Sequence, residues 1–273
     1  MLSHHHAGMT VEGYSRAAVQ TCWRVNELKL LFDCGVCPWD FVGTPTMFIS
    51  HAHLDHIAGL AAYVSRRRMM KMEPPVVYLP DNAVDAAWDM LQMFRRLDRG
   101  GMPCELIGLL DGDVIEISRE YTVTAVPVRH TIEAFGFVVH QRRNKLKSEF
   151  THLSGPEIRD LKLSGVEITN QHRVPMFAYT GDTAPAGVDR NPEFFDAKIL
   201  IAEMTFVAPE HRKDKIHKHG HTHIDDFVKR ADRFNNELII ASHLSTRYND
   251  RQVRRFVDKR LPNGLDGRLK LWI

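Results

Sequence analysis

His51-Ala52-His53-Leu54-Asp55-His56 places four potential metal ligands in six residues, directly behind an apolar run, Thr46-Met47-Phe48-Ile49-Ser50. That run reads as a buried strand. Side chains two apart on a strand point the same way, so His51 and His53 aim at one point as the strand ends. Asp55 and His56 follow in the turn, where they can serve a second point close by. Neutral imidazole and carboxylate suit a borderline cation such as zinc. The fold must therefore end a buried strand at a metal site.

The chain has 273 residues with 44% hydrophobic content, enough for one large domain or two small ones. Lys+Arg is 36 against Asp+Glu 34, so net charge alone demands no nucleic-acid partner. Four cysteines (Cys22, Cys34, Cys37, Cys104) are too few and too scattered for a disulfide framework. Cys34 and Cys37 form a CxxC without a second pair at zinc-ribbon spacing, and read as reduced thiols. No apolar run reaches signal-peptide or membrane-spanning length, so a cytoplasmic location and no membrane partner are expected. His4-His5-His6 is given no role.

Two strands are expected at the start, Ala17 to Val25 and Leu28 to Asp33, joined at Asn26-Glu27. Thr46 to Ser50 follows, then a helix over Ile57 to Met70 and a short strand over Val76 to Leu79. A helix is expected from Asp81, as its N-cap, to Asp98, stopped by Gly100-Gly101. Asp113 to Ile117 and Tyr121 to Pro127 read as a hairpin, and Phe135 to Gln141 as a further strand. The polar stretch 142–174 reads as an excursion. Beyond it come strands over Met176 to Thr180, Ala197 to Ala202 and Leu238 to Ser242, with a helix over Thr222 to Phe234. Strands, then a helix, then the same pattern again, predict an α+β fold, a four-layer αββα sandwich, with residues 1–273 as a single domain. His51, Asp182, Glu203 and His243 all stand at strand ends, where sites collect.

These residues resemble the metallo-β-lactamase superfamily. Phe32-Asp33-Cys34-Gly35 is similar to its first motif and His51-x-His53-x-Asp55-His56 to its second; His130, Asp182 and His243 stand for the remaining three. Within the superfamily, the ribonuclease Z family, the tRNA 3′-processing endonucleases, fits best. The motifs that single it out are Tyr179-Thr180-Gly181-Asp182-Thr183, Ala202-Glu203-Met204-Thr205-Phe206, Gly220-His221-Thr222 and Ser242-His243-Leu244-Ser245-Thr246-Arg247-Tyr248. Val128-Arg129-His130 with Phe135-Gly136-Phe137 also fits. Two features depart from the family. The family's loop near the N-terminus, rich in Pro, Lys, Arg and Asn, should lie near Glu12 to Ala17, which here reads Glu12-Gly13-Tyr14-Ser15-Arg16-Ala17, and the segment between His130 and Asp182 is short for the family's tRNA-clamping arm. The excursion at about 142–174 resembles a reduced arm.

The resemblance implies two Zn2+ ions, with Mn2+ or Fe2+ as alternatives. One would be held by His51, His53 and His130, the other by Asp55, His56 and His243, with Asp182 bridging. Asp55 would also orient or deprotonate the attacking water. Glu203 and His221 would form the pair that protonates the leaving 3′ oxygen, with His219 and His223 as alternatives to His221. Asp33 would support the site rather than ligate. Arg247 and Tyr248 would contact RNA near the cut. Basic clusters at Arg66-Arg67-Arg68, at Arg142-Arg143 with Lys145 and Lys147, at Arg212 to Lys218 and at Arg251 to Arg260 could add phosphate contacts if they converge. The expected activity is zinc-dependent phosphodiester hydrolysis at the 3′ end of precursor tRNA by a homodimer. The alternatives are a small-molecule, cyclic nucleotide-like phosphodiesterase and a catalytically inactive RNA-binding homologue.

Overall fold

The computed structural model describes residues 2–261 and 263–273. Among the described residues fourteen strands form two sheets of seven, and in both sheets the spatial order follows the chain order. The first sheet contains β1 (Leu2–His6), β2 (Met9–Arg16), β3 (Gln20–Val25), β4 (Leu30–Phe32), β5 (Thr46–Phe48), β6 (Val76–Pro80) and β7 (Glu105–Leu109). The second contains β8 (Val114–Glu116), β9 (Tyr121–Pro127), β10 (Phe135–Leu146), β11 (Thr169–Tyr179), β12 (Ile199–Glu203), β13 (Leu238–Ser242) and β14 (Leu269–Leu271). Each sheet begins with antiparallel pairs and finishes with parallel ones. The parallel strands β12 and β13 are buried throughout, as expected where both faces are covered.

Trp23, Phe32, Phe48, Phe137, Phe177, Ile201 and Ile240 fill the space between the sheets. Phe32 of the first sheet stacks on Phe177 of the second at 5.1 Å between ring centroids. Helices cover the outer faces. α1 (Leu54–Ile57), α2 (Leu60–Met69) and α3 (Val84–Asp98) lie on the first sheet through Leu60, Tyr63, Val64, Ala87 and Leu91. Over the second lie α5 (Pro185–Asp189), α6 (Glu193–Asp196), α8 (Ile224–Val228) and α9 (Asp250–Arg260), through Phe194, Phe227, Val253 and Val257. The expected αββα sandwich is thus present, with α4 (Gly155–Leu163) and α7 (Lys213–Lys218) as additions.

Several expectations need correction. The first thirty-three residues form four strands rather than two. β1 and β2 are antiparallel around the Ala7-Gly8 turn, and in β2 buried and half-buried residues alternate. The segment Glu12 to Ala17, expected as a loop, is the end of β2 and its following turn. Helix α3 starts at Val84: a 3₁₀ turn over Asp81–Ala83 precedes it, so Asp81 is not its N-cap. Arg99 rather than a glycine closes it, in the left-handed region at φ 54°. The stretch Thr222 to Phe234 is helical only over Ile224–Val228 and in one 3₁₀ turn, Ala231–Arg233. Arg251 to Arg260 is part of α9, whose charged residues lie outward while Val253 and Val257 are buried. β7 and β14, short strands, had no reading in the sequence.

The polar excursion is a two-stranded ribbon. β10 and β11 continue beyond the sheet, pairing Gln141 with Val174 through Leu146 with Thr169. The register shifts between Val139 and His140, at its base. α4 closes the ribbon and starts at a capping box, in which Ser154 and Glu157 satisfy each other's backbone N–H groups.

Candidate metal centre

The site lies where the C-terminal ends of strands from both sheets meet. After β5 the chain remains extended through His53, which is the N-cap of α1, and Asp55 lies in the first turn of that helix. His51 and His56 are fully buried, and Asp182 and His243 nearly so. Four overlapping groups have ligand atoms within 4.8 Å of one another: His51/His53/His130, His51/His56/Asp182, Asp55/His56/His243 and Asp182/His221/His243. Every residue expected as a ligand stands in this cluster, and Asp182 lies between its two halves. Asp182 Oδ2 is 3.9 Å from His51, 3.5 Å from His56 and 3.2 Å from His243.

The hydrogen bonds around the cluster fix which nitrogen each imidazole offers. His56 Nδ1 donates to Asp33 Oδ2 (2.7 Å), leaving Nε2 free. His130 Nδ1 donates to the Gly220 carbonyl (3.0 Å). The Ser50 hydroxyl donates to Asp33 (2.9 Å), so it accepts from His51 Nδ1 (3.0 Å). Likewise the Thr205 hydroxyl donates to Glu203 (2.5 Å) and so accepts from His243 Nδ1 (3.1 Å). Four histidines thus turn Nε2 inward, the outer-shell pattern of a metal centre. His53 Nδ1 stands 3.1 Å from both His51 Nε2 and His130 Nε2. Nitrogens about 2.05 Å from one tetrahedral ion lie about 3.3 Å apart, so this spacing fits a shared cation. The donor set therefore suits a metal.

Electrostatics agree. Burial, with the neighbouring imidazoles, holds His51 well below the ordinary histidine range, and burial also lowers His53 and His130. All three are neutral and available at physiological pH. Burial would raise Asp182, but His243 and His56 hold it well below the carboxylate range. Asp55 is brought to about 2: burial opposes this, and the His243 bond and the His56 charge override it.

Glu203 and His221 adjoin this centre. Glu203 is buried and accepts from Thr183 N (3.2 Å), Thr222 N (3.0 Å), Thr205 N (3.2 Å) and the Thr205 hydroxyl, so its carboxylate is immobile. His221 Nδ1 is 3.4 Å from Glu203 Oε1, and Nε2 is left to face the cleft. Burial would lower His221, but Glu203 and then Asp182 raise it to about 9. Neither alternative to His221 stands in the ligand cluster, although His219 lines the same cleft as His221. His223 is buried as the N-cap of α8, with Nε2 donating to the Ala208 carbonyl, and His219 is an exposed residue closing α7.

Asp33 accepts from Ser50 N (2.6 Å), the Ser50 hydroxyl, His56 and the Tyr179 hydroxyl (2.5 Å). That leaves it no open lone pair, as a supporting residue requires. Arg247 lies over the Phe206 ring at 5.7 Å and borders the cleft next to His221. Tyr248 is a correction: it is 6% exposed, its ring packed against His211 and Phe256, so its side chain is not presented to RNA. The Arg66-Arg67-Arg68 cluster does not join the site either. Arg67 is buried and donates to the Val42, Thr44 and Glu73 carbonyls, while Arg68 pairs with Asp98. Other cations do converge: Arg212, Lys215 and Arg247 line a 550 Å³ cavity that includes His221, and Arg129, Lys218 and Lys229 line another together with Asp189, Asp214 and Asp226.

Sequence reasoning missed Ser50, Thr205 and Gly220 as parts of the site. Gly220 has φ 74°, and a Cβ there would stand 2.4 Å from His130 Nδ1. Their signal was proximity in the chain: Ser50 precedes His51, Gly220 precedes His221, and Thr205 stands two residues after Glu203.

Residues 40–244 match the family model of the beta-lactamase superfamily domain. tRNase Z TRZ1 of Arabidopsis thaliana is 37% identical over 96% of this chain and 94% of its own length. The chloroplastic tRNase Z TRZ2 of the same plant is 35% identical over 91% of this chain and 71% of its own. Among solved structures, the metallo-beta-lactamase fold protein YhfI from Bacillus subtilis superposes with a TM-score of 0.62 at 14% identity, covering 96% of both chains. Human tRNase Z, short form, superposes with a TM-score of 0.55 at 19% identity, over 88% of this chain and 86% of that one. The chain belongs to the ribonuclease Z family of the metallo-β-lactamase superfamily.

Proposed function

We propose that this protein is a metal-dependent endoribonuclease that hydrolyses precursor tRNA at its 3′ end. The observation that carries the reading is the Glu203–His221 pair, 3.4 Å apart and bordering the Asp182 cluster. Lactone or thioester hydrolysis has less need of such a proton donor. A ribose 3′ alkoxide leaving group does need one. The names of the two plant relatives supply tRNA as the substrate.

Two zinc ions in the ligand sets named above, with manganese or iron as alternatives, would lower the pKa of water and neutralise charge on the phosphoryl group. The remaining chemistry belongs to the chain. Asp55 Oδ2 is fixed by Ala18 N (2.8 Å) and His243 (3.3 Å), which leaves Oδ1 to orient the attacking water and take its proton. The water oxygen bonds to phosphorus as the bond to the 3′ oxygen breaks. His221 Nε2 gives its proton to that oxygen, and Glu203 holds the imidazole cationic beforehand. Arg129, Arg212, Lys215 and Arg247 supply backbone phosphate contacts around the cleft. The resemblance further supports a homodimer.

The deciding assay sets precursor tRNA bearing a 3′ trailer against a small chromogenic phosphodiester. Cleavage at the 3′ end, lost in Asp55→Ala with the fold retained, is the expected outcome. Turnover of the small ester alone would reject tRNA, and undiminished turnover by Asp55→Ala would reject the role of that carboxylate.

A further inference from the structure

The backbone on the two sides of His221 is fastened in different ways. On the C-terminal side Thr222 bonds twice to Glu203, through its N–H to Oε1 (3.0 Å) and through its hydroxyl to the carbonyl (2.7 Å). Phe206 N donates to the Thr222 carbonyl (3.2 Å) and Ile224 N to the Phe206 carbonyl (2.8 Å), so this side is anchored to the segment that follows β12. On the N-terminal side stands α7, only six residues long. A helix of that length has little stability of its own and must be held by what it packs against.

The end of α7 is a Schellman motif. Gly220 turns left-handed at φ 74°, its N–H donates to the His217 carbonyl (3.1 Å), and His221 N donates to the Ile216 carbonyl (3.2 Å). The Gly220 carbonyl in turn accepts from His130 Nδ1 (3.0 Å). One turn of chain therefore delivers two things to the cleft: the His221 imidazole, and the acceptor that orients the His130 ring. α7 itself hangs on α8. Lys213 and His217, four residues apart, share a face and reach consecutive residues: Lys213 pairs with Asp225, and His217 Nε2 donates to Asp226 Oδ2 (2.9 Å). Ile216 is buried beside them. Asp225 is shared with Arg260. Asp226 is buried and also accepts from His223 N (2.9 Å) in the capping box of α8, so it is a fixed point. His217 thus carries both the side chain bound to that fixed point and the carbonyl that receives Gly220 N.

We propose that His217 is a positioning residue. Its bond to Asp226 sets, through the Schellman end of α7, both the place of the His221 imidazole and the orientation of His130. It touches neither substrate nor metal. When the bond is lost, the end of α7 is free to shift, and the Gly220 carbonyl and His221 move together because they belong to the same turn. The half of the proposal that concerns His221 rests on the proton-donor role given to it above; the half that concerns His130 rests on the metal centre alone.

Two readouts on the full chain test it. Zinc affinity, measured by competition with a chromogenic chelator, needs no catalysis. His217→Ala is expected to weaken it about tenfold or more with unchanged circular dichroism, as loss of support to a ligand does. His217→Gln, whose amide N–H can reach Asp226 in the same way, should restore it. At saturating zinc, His217→Ala should lower kcat on precursor tRNA about tenfold or more, because the leaving 3′ oxygen needs its proton. Its kcat on a nitrophenyl phosphodiester should stay at the wild-type value, since nitrophenolate leaves without one. Zinc affinity indifferent to His217→Ala, a glutamine variant no better than the alanine, or an equal loss of kcat on both esters would each overturn the proposal. A wild type that fails to cut precursor tRNA would reject the proposed activity, while the zinc measurement would still decide the role of His217.

Discussion

His221 is the residue on which the proposed chemistry most depends, and its behaviour with pH follows from its setting. With a pKa raised to about 9 by Glu203 against the opposing effect of burial, it is protonated throughout the neutral range. An acid that must be protonated to act loses activity as pH rises through that value. The rate should therefore show a basic limb near pH 9, and His221→Ala should lower kcat by about a hundredfold or more while abolishing that limb. A pH–rate profile with wild-type and variant side by side reads both. A basic limb retained in the variant would assign the proton to another group. Gly220 links this residue to the metal centre, since its carbonyl holds His130 while the next residue is the proton donor.

At the scale of elements, the ribbon of β10 and β11 is the part most easily separated from the chemistry. It leaves the sheet beyond Gln141, and none of the site residues lies on it. Its base is braced by His140, 2.8 Å from Glu193 and 3.1 Å from Arg173. Replacing residues 142–174 with a short turn should raise KM for precursor tRNA about tenfold or more, while hydrolysis of a small phosphodiester continues at the wild-type kcat. Steady-state kinetics on both substrates test this, and an equal loss on both would make the ribbon part of the catalytic fold. The ribbon also shows where sequence reading reaches its limit. The strands flanking the site were legible because Thr46–Phe48, Ile199–Ile201 and Leu238–Ala241 are apolar runs bounded by chemistry-bearing residues. β1 and the outer part of β10 were not, because edge and ribbon strands are polar on exposed faces and carry no such contrast. The site was legible as residue types. The threonine and carbonyl partners that set the tautomers of His243 and His130 were not, because those contacts join residues far apart in the chain, Thr205 with His243 and Gly220 with His130.

For the whole molecule, the cluster of buried charge makes stability depend on pH. Asp55 has its pKa lowered from 3.8 to about 2 by His243 and His56, with burial opposing. A depressed carboxylate stabilises the fold above its unfolded pKa, and that contribution disappears as pH falls from about 4 through 2. In chelated protein, Asp55→Asn should therefore flatten the loss of Tm over that window, as read by calorimetry at stepped pH. A variant with the wild-type slope would place the acid sensitivity in other groups. Restoring metal should raise Tm in proportion to its binding, because only the folded state gathers all the ligands.

The repeated strand order of the two sheets has a consequence for how this protein comes into being. Asp33, His51, His53, Asp55 and His56 come from the half that ends with β7; His130, Asp182, Glu203, His221 and His243 come from the half that begins with β8. Only the connection around Leu110–Asp113 joins them, and Leu110 is exposed there. Neither half can assemble the centre alone. The metal site is thus a seam, and its occupation certifies that the two sheets have met face to face in the right alignment.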